Sequence, residues 1–167
     1  MEIKLLAALA VGSLLFGMSG AASATVLTFE DLPGDGSAIS AGYGGFDWKT
    51  SSNVGRVGST SAQRYPGSGY EVGTIGKISA YSAPNNYPTD ITLAGPGTFT
   101  FNGAQFTSAW ENQTLTFEGY KDGKLLYTSA SYSITTTSPL WISLNWSGID
   151  DLRIYGTAER AMIISGV

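Results

Sequence analysis

The adjacent carboxylates Glu30 and Asp31, with Asp35 four residues further on, are the first side chains in this sequence that could do chemistry. Three roles are open to them. A glycosidase needs a second carboxyl group across a cleft, at a separation set by its mechanism, and no strand carries the alternating acidic residues that would supply it. A calcium ion takes several oxygen ligands, backbone carbonyls included, so Glu30, Asp31 and Asp35 could share one. The third role is plain turn chemistry: Asp31-Leu32-Pro33-Gly34 closes the strand-like run Thr25-Val26-Leu27-Thr28-Phe29. We read the pair as marking where that strand stops.

Aromatic side chains are the second chemical resource. Tyr43, Trp48, Tyr65 and Tyr70 lie in or beside a glycine-rich stretch, with Arg56, Gln63 and Arg64 near enough in sequence to donate hydrogen bonds. Flat rings beside polar donors suit a sugar. Trp110 and Trp146 fall in register with apolar faces and read as core. Trp141 points opposite to Leu140 and Ile142, so it is either packed under a loop or exposed. Tyr120 and Tyr155 also fall on outward faces. The competing view has loops covering these outward rings, with the aromatics pinning loop to barrel. Cover is the expectation for Trp141.

Two absences remove other chemistries. With no histidine, neither a Ser-His-Asp arrangement nor an imidazole zinc site can form. With no cysteine, there is no thiol nucleophile and no disulfide. The net charge is −4 and no basic run occurs, which argues against nucleic acid and anionic membrane as partners. Asn112-Gln113-Thr114 and Asn145-Trp146-Ser147 match the glycosylation pattern; Asn145 and Ser147 read as part of the turn before Gly148, and Asp150-Asp151 as a cap on that turn.

The elements that must position these residues begin after a leader. Lys4, the apolar run Leu5 to Phe16 and Ala22-Ser23-Ala24 have the order of a secretory signal peptide, with cleavage expected after Ala24. The apolar run is too short to span a bilayer. The expected domains are therefore a signal peptide, residues 1–24, and one domain, residues 25–167, with no second spanning segment. Half of the chain's 22 glycines fall between Gly34 and Gly76. Glycine weakens regular elements, so residues 33–76 are expected as long loops with short strands near Phe46–Lys49 and Lys77–Tyr81.

From Thr89 onward the pattern has period two. Leu115 and Phe117 face one way and Thr116, Glu118 and Tyr120 the other. Lys121-Asp122-Gly123 marks a hairpin. Leu140, Ile142, Leu144 and Trp146 share a face, Leu152 and Ile154 share another, and Ala161 to Ile164 reads as a last strand. No convincing helical period appears. Eight to ten short strands with turns between them predict an all-β antiparallel sandwich, a jelly roll.

Six motifs in order carry a resemblance: T-V-L-T-F-E-D-L, A-G-Y-G-G-F-D-W, Y-P-G-S-G-Y-E, F-T-F-N-G-A-Q-F-T-S-A-W, L-T-F-E-G-Y and S-L-N-W-S-G-I-D-D-L. Together they resemble a family of exported bacterial proteins that carry a C-terminal PEP-CTERM sorting signal. Its jelly roll is similar to galactose-binding-like and carbohydrate-binding modules. The resemblance implies this fold, a place at the cell surface or in the extracellular matrix of a biofilm, and a calcium site between first and last strands. Two departures stand out. No Pro-Glu-Pro signal precedes the end at Val167, and Ile163 stands where the family's last-strand aspartate is expected.

The resulting expectation is a secreted, non-catalytic β-sandwich protein that binds polysaccharide. Its ligand-binding residues would be Tyr43, Trp48, Tyr65, Tyr70 and Trp141, and any calcium would sit on Glu30, Asp31 and Asp35. The alternatives are a structural or adhesive matrix protein without a sugar ligand, and a carbohydrate-active enzyme.

Overall fold

The computed structural model describes residues 25–50, 57–82, 88–158 and 161–167. The expected signal segment, residues 1–24, lies outside them, as does Arg56. Among the described residues there are twelve strands: β1 (Asp35–Ala38), β2 (Phe46–Thr50), β3 (Val57–Ser61), β4 (Ile78–Ser82), β5 (Thr89–Leu93), β6 (Phe99–Ser108), β7 (Gln113–Lys121), β8 (Lys124–Thr128), β9 (Tyr132–Ile134), β10 (Leu140–Ile149), β11 (Asp151–Gly156) and β12 (Met162–Ser165). A short helix, α1 (Gly69–Gly73), follows a 3₁₀ turn at Ala62–Arg64.

All pairings are antiparallel and form two sheets. One runs β1-β3-β4-β12-β6-β10; the other runs β2-β5-β11-β7-β8, with β9 also on β7. Within them β4-β12-β6-β10 faces β5-β11-β7-β8, and the chain crosses between sheets at almost every connection from β4 onward. That is the order of an eight-stranded jelly roll. β1 and β3 widen the first sheet, and β2 widens the second.

The alternation read from the sequence holds on β7 and β11. β7 buries Gln113, Leu115, Phe117 and Gly119 and leaves the residues between them half-buried. Its hairpin to β8 turns on Asp122 and Gly123, both at positive φ (49° and 74°), which matches the right-handed twist of the flanking strands. β11 buries Leu152 and Ile154. These side chains meet Phe106, Ile142 and Ile164 in the core between the sheets, where the Phe106 and Phe117 rings stand edge to face at 5.3 Å. Fully burying each such side chain contributes about 1.5–3 kcal/mol.

β12 breaks the alternation because both its faces are covered. Met162 and Ile164 belong to the core, while Ile163 joins a smaller cluster with Tyr70, Tyr81, Ala109 and Ala161. The roof of that cluster is α1. It approaches closely because Gly69 and Gly73 have no Cβ: one at Gly69 would run into the Ser108 carbonyl, and one at Gly73 into the Thr107 side chain.

Three expectations need correction. Residues 33–76 are not chiefly loop, since β1, β2, β3, the 3₁₀ turn and α1 fall within them. The strand count exceeds eight to ten. The run before Glu30 is no ladder strand: Leu27 exchanges backbone hydrogen bonds with Val167 (2.8 and 3.3 Å), and Phe29 then kinks at φ 63° into the turn that carries Glu30 and Asp31. Among the described residues no helix is long and apolar enough to cross a membrane.

Candidate functional site

Tyr65, Tyr70 and Trp110 come together beside α1. Ser68 caps the helix, its Oγ accepting from the Tyr70 amide (3.2 Å) and donating to the Tyr65 carbonyl (2.5 Å). The Gly69 amide donates to the Ala109 carbonyl and the Ala109 amide to the Ala161 carbonyl, both at 2.9 Å, which ties the helix to the end of β6. The rings of Tyr65 and Tyr70 lie 4.8 Å apart, and those of Tyr65 and Trp110 stand edge to face at 5.4 Å. Tyr70 touches Trp110 at 5.7 Å and Tyr81 at 6.0 Å.

Exposure divides the labour among these rings. Tyr70 is 6% exposed, whereas Tyr65 is 37% and Trp110 47% exposed. Burial pushes the Tyr70 phenol up to about 12, so its hydroxyl stays protonated. Tyr70 is thus the backing, and Tyr65 and Trp110 are the surface. The Arg64 guanidinium lies 5.6 Å from the Tyr65 ring, and its Nε donates to the Tyr65 hydroxyl (3.3 Å).

Trp110 was expected in the core on β6's period. The strand ends at Ser108, so the parity that places Phe106 inside does not reach Trp110. Trp141 is 51% exposed rather than covered by a loop. Its ring lies against Gly103, on the outer face of the first sheet. Trp141 pairs with Gln105, and Gln105 with Ser165, whose Oγ donates to the Gly73 carbonyl of α1 (2.8 Å). Trp141 and α1 therefore share that face, two strands or roughly 10 Å apart.

The other aromatics chosen from the sequence lie elsewhere. Trp48 is 5% exposed, packed edge-on to Phe29 (5.4 Å) with its Nε1 donating to the Tyr43 carbonyl (3.0 Å). Tyr43 stacks on Phe29 (5.9 Å) and donates to Asp31 (2.6 Å), and burial with that carboxylate pushes its phenol up to about 12. Both are packing residues. Trp48, with Phe46, Phe99, Phe101, Thr100 and Asn102, lines a cleft of about 560 Å³ of mixed apolar and polar character.

The three carboxylates are separately engaged. Glu30 Oε1 accepts from the Lys77 and Ile78 amides (2.8 and 3.1 Å), which holds its pKa below the ordinary value. Asp31 takes the Tyr43 hydroxyl, and Asp35 accepts from the Ser37 amide (2.8 Å) in its own turn. Among the described residues no group of three or more acidic side chains could hold a metal ion.

Sequence reading missed a charged row on the outer face of the second sheet. Lys49, Asp90, Arg153 and Glu118 lie directly opposite one another on β2, β5, β11 and β7. Arg153 Nε reaches Asp151 (2.9 Å) and Asp90 (3.8 Å), and its guanidinium covers the Tyr120 ring at 4.2 Å. Glu118 Oε2 accepts from both Tyr120 (2.6 Å) and Tyr155 (2.8 Å). Burial pushes the Asp151 carboxyl up against the pull of Arg153. Arg153–Asp90 links β11 to β5, Glu118 links β7 to β11 through Tyr155, and Lys49 pairs with Asp47 on its own strand (3.2 Å). The signal available in the sequence was Asp151-Leu152-Arg153-Ile154-Tyr155, where acid, base and phenol share a strand face.

No protein-family model, curated protein or solved structure matches this chain.

Proposed function

We propose that this chain is an exported, non-catalytic binding module of the bacterial cell surface or extracellular matrix, with polysaccharide as its ligand. The observation that carries the reading is the exposed pair Tyr65 and Trp110 held over buried Tyr70. An aromatic surface fixed from below loses little side-chain entropy when a sugar ring stacks on it. Arg64 and Gln63 are exposed beside it as donors. Trp141 adds a third exposed ring on the same sheet face. The non-catalytic reading is supported by the absence of histidine and cysteine and by Glu71, the acidic residue of α1, being engaged with the Gly67 amide (2.7 Å).

Affinity electrophoresis through gels containing matrix polysaccharides tests this. Retardation of the wild type that is lost in Trp110→Ala, with an unchanged melting curve, is the expected result. A wild type that no polysaccharide retards removes the sugar reading. The structural or adhesive alternative then takes its place, and the open sheet edge at β10 favours that alternative.

A further inference from the structure

The two sides of the sandwich treat their open edges differently. On one side the edges are β1 and β2, of four and five residues. β1 carries Asp35 and a register shift, and β2 carries Asp47 and Lys49. Short strands, irregular pairing and charges are the usual guards against edge-to-edge association. On the other side the edges are β8 and β10. They lie side by side, since the Tyr127 ring stacks on Trp146 (5.2 Å, 13°) and its hydroxyl donates to the Ser147 carbonyl (3.1 Å).

Beyond Lys124 at the start of β8, that second side carries no such charge. Between Lys124 and Asp150 there is not one Asp, Glu, Lys or Arg. β10 is ten residues long, and Leu140 and Trp141 on it, like Leu125 and Leu126 on β8, are exposed. The far half of β10 is unsuited to pairing, because its register shifts twice after Ser143 and Asn145 sits at φ 52°. Leu140 to Ser143 is regular, matched residue by residue to Phe106 through Gly103, and unpaired on its outer side.

We propose that the Leu140–Ser143 edge pairs antiparallel with the same segment of a second copy of this chain, joining the two β10 sheets into one. The partner is a second copy because the edge is self-complementary: turned about a two-fold axis, the same regular segment offers matching outward N–H and C=O groups, along a strip whose lack of charge removes the usual guard against such pairing. The pairing is isologous, satisfying the outward backbone groups of both strands. A two-fold axis perpendicular to the sheet leaves α1 and Trp141 of both copies on one common face.

Sedimentation velocity of the purified chain over about a hundredfold range of concentration reads the association directly. The expected result is a concentration-dependent dimer. Ser143→Lys, placing a charge on an exposed edge position, should yield a folded monomer by circular dichroism, and Trp141→Lys should do the same. Should either lysine variant fail to fold, the other carries the test. Trp110→Ala is the control and should leave the dimer intact. A wild type that stays monomeric overturns the proposal, as does a dimer that survives both lysine substitutions or one that Trp110→Ala abolishes. Sugar binding plays no part in the readout, so the two proposals fail independently.

Discussion

The ring of Tyr65 lies 4.8 Å from that of Tyr70 at an interplanar tilt of 49°, the first at the surface and the second buried beneath it. The two tyrosines share a motif and differ in role, and substitution should separate them. Tyr65→Ala removes about 1 kcal/mol of stacking, or roughly a fivefold loss of polysaccharide affinity, with little change in stability. Tyr70→Ala empties a buried site and should cost about 3 kcal/mol in urea denaturation. Equal stability losses in the two variants would show that Tyr65 is packing as well.

Two glycines should fail for different reasons. At Gly123 a Cβ meets nothing within 4 Å, but φ is 74°, so Gly123→Ala should cost about 1 kcal/mol from backbone strain alone. At Gly69 a Cβ collides with the Ser108 carbonyl. Gly69→Ala should therefore cost about 2–3 kcal/mol and lift α1 from the sheet. Loss of sugar retention should accompany Gly69→Ala and be absent from Gly123→Ala, with denaturation midpoints checking the ranking.

Glu30 should mark the acid limb of stability. Its two backbone hydrogen bonds depress the folded pKa, so its contribution is complete above the ordinary glutamate value of about 4.3 and is lost as pH falls through the lowered folded value. Glu30→Gln should lower the melting temperature at neutral pH, and its gap from the wild type should close on acidification. A gap that stays constant with pH would mean the charge contributes nothing.

Calcium should leave the melting temperature unchanged. Glu30, Asp31 and Asp35 spend oxygens on the Lys77 and Ile78 amides, the Tyr43 hydroxyl and the Ser37 amide. Ile163, where the resemblance implies an aspartate, is buried under α1. A ligand bound only to the folded state would raise the midpoint by mass action. Differential scanning calorimetry with calcium and with chelator decides it; a reproducible rise with calcium would restore the metal site.

The sequence by itself determined what is local. Period-two runs placed Leu115, Phe117, Leu152 and Ile154 inside, Asp122-Gly123 set the hairpin, and short strands between turns specified an antiparallel sandwich. These follow from side-chain alternation and from which residues tolerate positive φ. The missing histidine and cysteine likewise excluded whole chemistries before any fold was known. What only the tertiary structure decided are relations between strands. Parity orients side chains only while a strand continues, so Trp110, two residues past the end of β6, turned outward. Trp48 is buried because Phe29, from the run before β1, packs on it, and Tyr70 because Ala109 and Ile163, far off in sequence, lie beneath it. Arg153 found Asp90 and Glu118 through sheet order, and the uncharged run from Leu125 to Ile149 became an open edge only because β8 and β10 ended up last in their sheets. Neighbours along a strand are set by covalent spacing, whereas neighbours across a sheet are set by which backbones pair, and that choice is made by packing of the whole core.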